Sequence, residues 1–388
     1  MLAVVPITSL KIWLVLILAL VLLTPVAHAG VRRTALVLVN SLFLVLCVGP
    51  HALSVLLGML VLHGLLQGTR ARRFGLWAAL GTWAGALGLF ALHKLPGFST
   101  WAHLTSINLL LTGIGFSYVC LRIIDVWQAV NSGLHPPPAF LALVNYVLPF
   151  HMLAAGPIQS YDEYVQQPAV CPPPDVHTVL TGLERIAAGL FKKFVLAYVL
   201  LQLFCTGWRA EGWYRLVEMN VHFLWIYLDF SAYTDIAVGF GRLLGVATPE
   251  NFNRPYLARN LTDFWERWHI SLSQFIRRNL FVPMHMTLMR WTGGRHMLLG
   301  ASLALFVAFV LCGAWHGLTA PFLMWGVLHA TGLVICNLYK EWLKGRLGPA
   351  GLQRYTASLR IRVAAVVATY QFVAFSLMIV GDQWRITW

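Results

Sequence analysis

Apolar stretches close to bilayer-spanning length recur through this chain, at about 10–27, 34–50, 51–66, 76–92, 104–121, 139–155, 186–206, 213–228, 299–315, 321–338 and 362–380. A helix needs roughly twenty predominantly apolar residues to cross the hydrocarbon layer, so about ten or eleven membrane segments are expected. Inside lipid the backbone must satisfy its own N–H and C=O groups, and continuous apolar runs do so as α-helices. Several runs are short or interrupted by Gly and Pro, as in tilted or re-entrant segments. Composition leaves no other solvent: 59% of residues are hydrophobic and only 11% charged, against roughly 45–50% and about 25% in ordinary globular chains. The fold class is therefore all-α, a polytopic membrane protein with additional interfacial or re-entrant helices. It reads as one membrane-embedded domain over 1–388. N-terminal helices occupy 1–109, a motif-bearing core 110–333 and a C-terminal helix region 334–388.

The charges are lopsided, 28 Lys+Arg against 14 Asp+Glu, a net +14. In a soluble chain this excess would suggest nucleic acid; here it reads as cytoplasmic loops set against anionic lipid, and no nucleic-acid partner is expected. Basic clusters fall at Arg32-Arg33, at Arg70, Arg72 and Arg73, and at Lys192-Lys193. Lys11, the apolar run after it and Ala27-His28-Ala29 imitate a secretory leader. We read the segment as the first transmembrane helix. Six singly scattered cysteines without a CxxC pair indicate neither a zinc site nor a disulfide framework. Phosphate-binding glycine loops, an HExxH zinc signature, a GxSxG elbow and an arginine ladder are all missing from the sequence. No metal and no permanently bound cofactor are expected.

One long segment breaks the apolar pattern. Residues 247–297 hold ten Lys, Arg and His among many aromatics, with no spanning run. Irregular chain of this kind cannot face lipid, so it lies at the interface or is sheltered by protein. Asn260 and Asp263 resemble an N-cap and its N3 partner. Phe264, Trp268, Leu272 and Phe275 recur at helical spacing, with Arg267, Arg277 and Arg278 off that stripe. This is an interfacial amphipathic helix, and taken alone it would serve as a membrane-surface anchor.

Most of the fourteen histidines need no function, and His28, His51, His63, His93, His103 and His135 sit near segment ends, where a polar tip reaches the interface. Two differ. His316 ends one apolar span just before another, in Cys312-Gly313-Ala314-Trp315-His316-Gly317, among small residues that allow close approach. His269 lies in Trp265-Glu266-Arg267-Trp268-His269, on a helix expected to have a wet face. Ionisable groups at membrane depth are costly, which makes His316 a functional candidate and leaves a polar helix–helix contact as its plain alternative. Asp229 and Asp235 flank Phe230-Ser231-Ala232-Tyr233-Thr234 in otherwise apolar sequence, and Asp125 follows Arg122 by three positions. All three acids read as structural, paired with the basic 247–297 segment, and the Arg122/Asp125 spacing allows an ion pair on one helix face.

In order along the chain these motifs resemble the membrane-bound O-acyltransferase (MBOAT) superfamily, in its bacterial branch of alginate O-acetyltransferases and teichoic-acid D-alanyl transfer proteins. The matching blocks are Gly115-Phe116-Ser117-Tyr118 with Ile124-Asp125-Val126, Ala155-Gly156-Pro157-Ile158, Gly189-Leu190-Phe191-Lys192-Lys193 and Asp229-Phe230-Ser231-Ala232-Tyr233-Thr234-Asp235. They continue with Glu250-Asn251-Phe252-Asn253-Arg254-Pro255-Tyr256, then Asp263-Phe264-Trp265-Glu266-Arg267-Trp268-His269-Ile270-Ser271-Leu272-Ser273. Last comes Trp315-His316-Gly317 with Phe322-Leu323-Met324-Trp325-Gly326. The stretch Phe281-Val282-Pro283-Met284-His285-Met286 departs from the family's usual tyrosine-containing version.

The resemblance implies helices around a tunnel, an acyl thioester entering from the cytoplasm and an acceptor hydroxyl meeting it at a histidine. It assigns the catalytic histidine to His316 and the second motif histidine to His269. Asp229, Ser231, Tyr233, Asp235, Asn251, Asn253, Arg254, Trp265, Arg267, Trp268, Trp315 and Trp325 would bind substrates or support the site. The implied donor is acetyl-CoA or an acyl-carrier-protein thioester. The implied acceptor is an exported cell-surface polysaccharide or a periplasmic acyltransferase partner, in a bacterial cytoplasmic membrane. Acetyl is favoured by the Asp229–Asp235 block, while the compact length leans toward D-alanyl transfer. A transporter or flippase would instead show matching interrupted helices in two repeated halves, and none is visible. His316 is expected to be an uncharged general base, reached by a cavity lined from 229–245 and 299–326, and His269 a positioning group. Residues 247–297 are expected on the cytoplasmic side, with Arg277 and Arg278 meeting donor phosphates.

Overall fold

The computed structural model describes residues 10–23, 28–70, 115–153, 156–167, 174–204 and 212–381. Among these the architecture is helical, with a single isolated antiparallel bridge between Phe252 and Trp268. Five helical stretches are long and apolar enough to cross a membrane: Gly30–Gly68, Val176–Leu203, Met297–His316, Ala320–Ala357 and Leu359–Val380, with shorter apolar helices at Leu10–Leu23 and Phe140–Met152. The expected run at 76–92 and most of that at 104–121 lie outside the described residues. The run at 213–228 is the first half of a 31-residue helix, Tyr214–Leu244, which carries Asp229 and Asp235 in its middle. The chain is a multi-pass membrane protein of all-α class.

The described chain divides into two units. One takes in the chain up to Phe191 together with Ala232–Pro249; the other takes in Lys192–Ser231 together with the chain from Glu250 onward. In the first, α1 (Leu10–Leu23), α2 (Ala29–Val48) and α3 (Ala52–Arg70) precede α4 (Phe116–Asn131) and α5 (Phe140–Val147). Arg32, read from sequence as loop charge, is buried and donates to the carbonyls of Leu23 and Leu244, the last residues of two helices. Carbonyls at helix C-termini lack intrahelical donors and carry partial negative charge, so one guanidinium satisfies both ends. Arg122 and Asp125 on α4 are both buried and engaged in hydrogen bonds to other elements. Arg122 donates to the carbonyls of Tyr146 (3.0 Å) and Pro157 (2.9 Å), and Asp125 accepts from the Tyr146 hydroxyl (3.1 Å) and the Tyr161 amide (2.6 Å).

After α6 (Tyr161–Gln166) comes α7 (Val176–Phe191), which passes through a π-helical turn at Lys192–Ala197 into α8 (Tyr198–Phe204); α9 is Tyr214–Leu244. A Cβ on Gly189 would lie 2.6 Å from the Ala232 carbonyl oxygen. Only glycine lets the backbone come that close. One turn earlier, Arg185 pairs with Asp235 at 2.7 Å; one turn later, Lys193 pairs with Asp229. The acids are held by basic groups, as expected, but the partners come from this preceding helix and not from 247–297.

In the second unit, α10 (Leu261–Trp265) and α11 (Ile270–Ile276) are followed by a π-helical turn at Arg277–Phe281, then α12 (Val282–Trp291), α13 (Met297–His316), α14 (Ala320–Ala357) and α15 (Leu359–Val380). Along α13, Gly300, Ala304, Ala308 and Cys312 are buried at four-residue spacing, next to Gly313. Such a stripe of small residues brings membrane helices together by van der Waals contact. α13 comes close to α14 at Gly313, where a Cβ would meet the Phe322 carbonyl oxygen at 2.5 Å and the Gly326 Cα at 3.0 Å.

Candidate active site

That glycine contact sets the position of His316. It is the last residue of α13, and a three-residue connection, 317–319, leads directly into α14. Its imidazole is half-buried in an aromatic collar: Trp315 at 4.7 Å between ring centroids, Trp325 edge-on at 5.4 Å and Phe322 stacked at 6.0 Å with a 16° interplanar angle. Gly317 is needed beside it, because a Cβ there would lie 2.4 Å from the Phe322 ring.

The collar extends inward from Trp325 to Trp265, with centroids 5.9 Å apart, and to His329 at 4.6 Å. His329 is a residue that sequence reasoning passed over. It is buried on α14, accepts a hydrogen bond from the Trp265 indole N–H at Nδ1 (3.3 Å), and meets the Ser376 hydroxyl at Nε2 (2.9 Å). Ser376 in turn donates to the Val373 carbonyl (2.7 Å). An indole N–H can only donate, so Nδ1 must accept, and the neutral ring carries its proton on Nε2. This fully directed chain fixes Trp265, and with it one wall of the collar around His316.

His269 sits differently from the expectation. The single amphipathic helix read from Phe264, Trp268, Leu272 and Phe275 is two short helices, broken at His269, whose backbone is left-handed (φ 45°, ψ 53°). Those four apolar side chains are all buried. The break turns the His269 ring inward: it is 3% exposed and meets the Phe230 ring edge-on at 4.9 Å. Neither ring nitrogen has a hydrogen-bond partner among the described residues. The anticipated wet face is therefore absent at this residue. Burial pushes its pKa down to about 3, so the ring is neutral at working pH. Left-handed backbone at a non-glycine residue and orphaned buried polar atoms each cost free energy, and both features concentrate at functional sites.

The turn carrying His269 is pinned from both sides. Asn251 is fully buried; its carbonyl accepts from the Ile270 amide (3.0 Å) and its side-chain oxygen from the Ser271 amide (3.2 Å) and hydroxyl (2.6 Å). The Asn253 amide donates to the Arg267 carbonyl (2.9 Å). Asn260 caps α10 by accepting from the Asp263 amide, as its spacing indicated. Asp263 also pairs with Arg267 at 2.5 Å. Trp268 stacks on Phe264 at 5.6 Å.

The predicted site residues thus sort into groups. Trp265, Trp315, Trp325 and His316 share the aromatic collar; His269, Trp268 and Asn251 form the pinned turn; Asn253, Arg254 and Arg267 line one open cavity of about 430 Å³. Asp229 is tied to Lys193, while the Ser231 hydroxyl donates to the Leu228 carbonyl on its own helix (3.4 Å). Tyr233 and Asp235 belong to the other unit, where Tyr233 donates to the His151 carbonyl (3.5 Å) and Asp235 pairs with Arg185. Arg277 is exposed and Arg278 half-buried.

The model of MBOAT, the membrane-bound O-acyltransferase family, matches residues 100–380, and the chain belongs to that family. It is 29% identical over 279 residues to a teichoic acid D-alanyltransferase of Bacillus subtilis, covering 70% of this chain and 69% of that one. It is 32% identical over 223 residues to a peptidoglycan O-acetyltransferase of Helicobacter pylori, covering 54% and 40%. To a probable alginate O-acetylase of Pseudomonas aeruginosa it is 31% identical over 239 residues, covering 58% and 43%. The chain is a membrane acyltransferase of this family, and the family match sets aside the transporter reading.

Proposed function

We propose that the protein moves a small acyl group, acetyl in the first instance, from a cytoplasmic thioester to a hydroxyl of an exported cell-surface polysaccharide or of a periplasmic acyltransferase partner. The donor is acetyl-CoA or an acyl-carrier-protein thioester; both are polyanionic and suit the basic 247–297 segment, including Arg277 and Arg278. The membrane is the bacterial cytoplasmic membrane, and residues 1–388 work as one acyltransferase domain. The observation that carries this reading is the setting of His316: half-buried, at the mouth of a tight α13–α14 turn, and walled by aromatic rings.

In the reaction, a ring nitrogen of His316 takes the proton of the acceptor hydroxyl while that oxygen attacks the thioester carbonyl. The C–S bond then breaks, the new ester C–O bond remains, and the thiolate recovers the proton from the imidazolium. His269, neutral and with both nitrogens unengaged, supplies a hydrogen bond that orients donor or acceptor in a dry site. Direct glycan acylation and relay to a periplasmic partner use the same first step.

One observation favours D-alanyl as the transferred group. The match to the Bacillus D-alanyltransferase covers 69% of that protein, whereas the matches to the two O-acetyl transfer proteins cover 40% and 43% of theirs. Mass spectrometry of surface glycan from a deletion strain, complemented with the wild type or with His316→Ala, tests both readings. Loss of acetyl that only the wild type restores is expected. Loss of D-alanyl ester instead would install the second reading, and unchanged glycan and unchanged periplasmic acyl-partner would refute both.

A further inference from the structure

The cavity of about 430 Å³ on the second unit is lined by four arginines, Arg254, Arg259, Arg267 and Arg362, and by no acidic residue. The nearby acid, Asp263, is already engaged by Arg267 and by the Arg259 amide (2.9 Å). Among the described residues, Arg254, Arg259 and Arg362 have no ion-pair partner. Three arginines without acidic partners around one cavity make it favourable for an anion. Arg254 has a left-handed backbone (φ 48°, ψ 55°) at the start of a 3₁₀ turn, closed by the Leu257 amide on its carbonyl at 3.0 Å.

The other wall is apolar and open. Leu257, Leu359, Val363 and Val367 line the cavity and are 47%, 70%, 55% and 55% exposed. Leu359, Val363, Val366 and Val367 share one face of α15 at helical spacing. That helix is one of the five able to cross a membrane, and the arginines gather at its first turns. Charge therefore lies at the membrane-interface end of the helix, and the exposed valines run from it into hydrocarbon. A soluble phosphate would use the guanidinium groups and leave the valines in water. An amphiphile uses both.

We propose that this cavity is a binding site for one anionic phospholipid, its phosphate among Arg254, Arg259, Arg267 and Arg362 and an acyl chain along Val363 and Val367. The site is independent of the acyl-transfer reading, because lipid retention is measured without turnover. Full-length protein purified in detergent with equal phosphatidylglycerol and phosphatidylcholine is analysed for retained lipid by native mass spectrometry. Phosphatidylglycerol should be retained at least about fivefold over phosphatidylcholine, since one basic side chain near an anionic surface contributes on that scale. Arg259→Gln and Arg362→Gln should each reduce that preference, and Arg362→Lys should retain most of it. Millimolar coenzyme A or inorganic phosphate should not displace the lipid. Equal retention of the two lipids, indifference to both Gln variants, or displacement by coenzyme A would overturn the proposal, the last by assigning the cavity to a soluble phosphate.

Discussion

The two motif histidines occupy opposite kinds of surroundings. His316 is half-buried at a helix end, ringed by Trp315, Phe322 and Trp325. His269 is 3% exposed on a strained turn, with both nitrogens lacking partners and its ring against Phe230. A general base must exchange protons with incoming substrate, so it needs access and freedom to become charged. A buried ring held below its ordinary pKa cannot take up a proton at working pH, but it can give or accept a directed hydrogen bond. On the function proposed above, this difference favours proton transfer at His316 and positioning at His269.

The comparison can be attacked through the packing that supports each side. The largest effect is expected at Gly313→Leu, because a Cβ there already meets backbone at 2.5 Å. Overpacking of this kind costs about 1–3 kcal/mol or more, and here backbone rather than a flexible side chain blocks relief. Little folded protein should be recovered by size-exclusion chromatography. His329→Leu should follow. It removes the acceptor for the Trp265 indole and leaves that donor buried, a loss of about 1–3 kcal/mol. The melting temperature should fall, and Trp265 fluorescence should change while His269 surroundings stay intact.

A third expectation concerns pH. The His269 pKa in the folded protein, about 3, lies below its unfolded value near 6.5. The unfolded state thus binds more protons between these values, and its share of stability is present above about 6.5 and lost as pH falls toward 3. At pH 5 the deficit approaches about 2 kcal/mol. His269→Leu should flatten the decline in melting temperature between pH 7 and 5; an unchanged slope would remove His269 as its source. The smallest effect belongs to Arg267→Gln. Its pair with Asp263 is part-exposed, and such pairs contribute about 0.2–1 kcal/mol. Thermal stability should barely move.

Much of this was legible from residues alone. Runs at 299–315, 321–338 and 362–380 correspond to Met297–His316, Ala320–Ala357 and Leu359–Val380, because span length and apolarity are local properties. The place of His316 between two spans followed from the same pattern. The break at His269 was not legible: the apolar spacing of Phe264, Trp268, Leu272 and Phe275 suits one helix, and nothing local marks left-handed backbone at a histidine. His329 was hidden because its partners, Trp265 and Ser376, lie 64 and 47 residues away. The acids at 229 and 235 were correctly read as paired, but pairing with Lys193 and Arg185 depends on how close Gly189 lets the helices come.

The division of labour between the histidines is tested most directly by measuring transfer rate and donor affinity side by side in purified His316→Ala and His269→Ala. Loss of a general base lowers rate by on the order of 10²–10⁴. His316→Ala should therefore lose measurable transfer while it still binds the thioester donor. His269→Ala should keep some turnover, with the deficit mainly in donor or acceptor use. Full activity in His316→Ala would contradict the assignment, and equal loss of rate in both variants would merge the two roles.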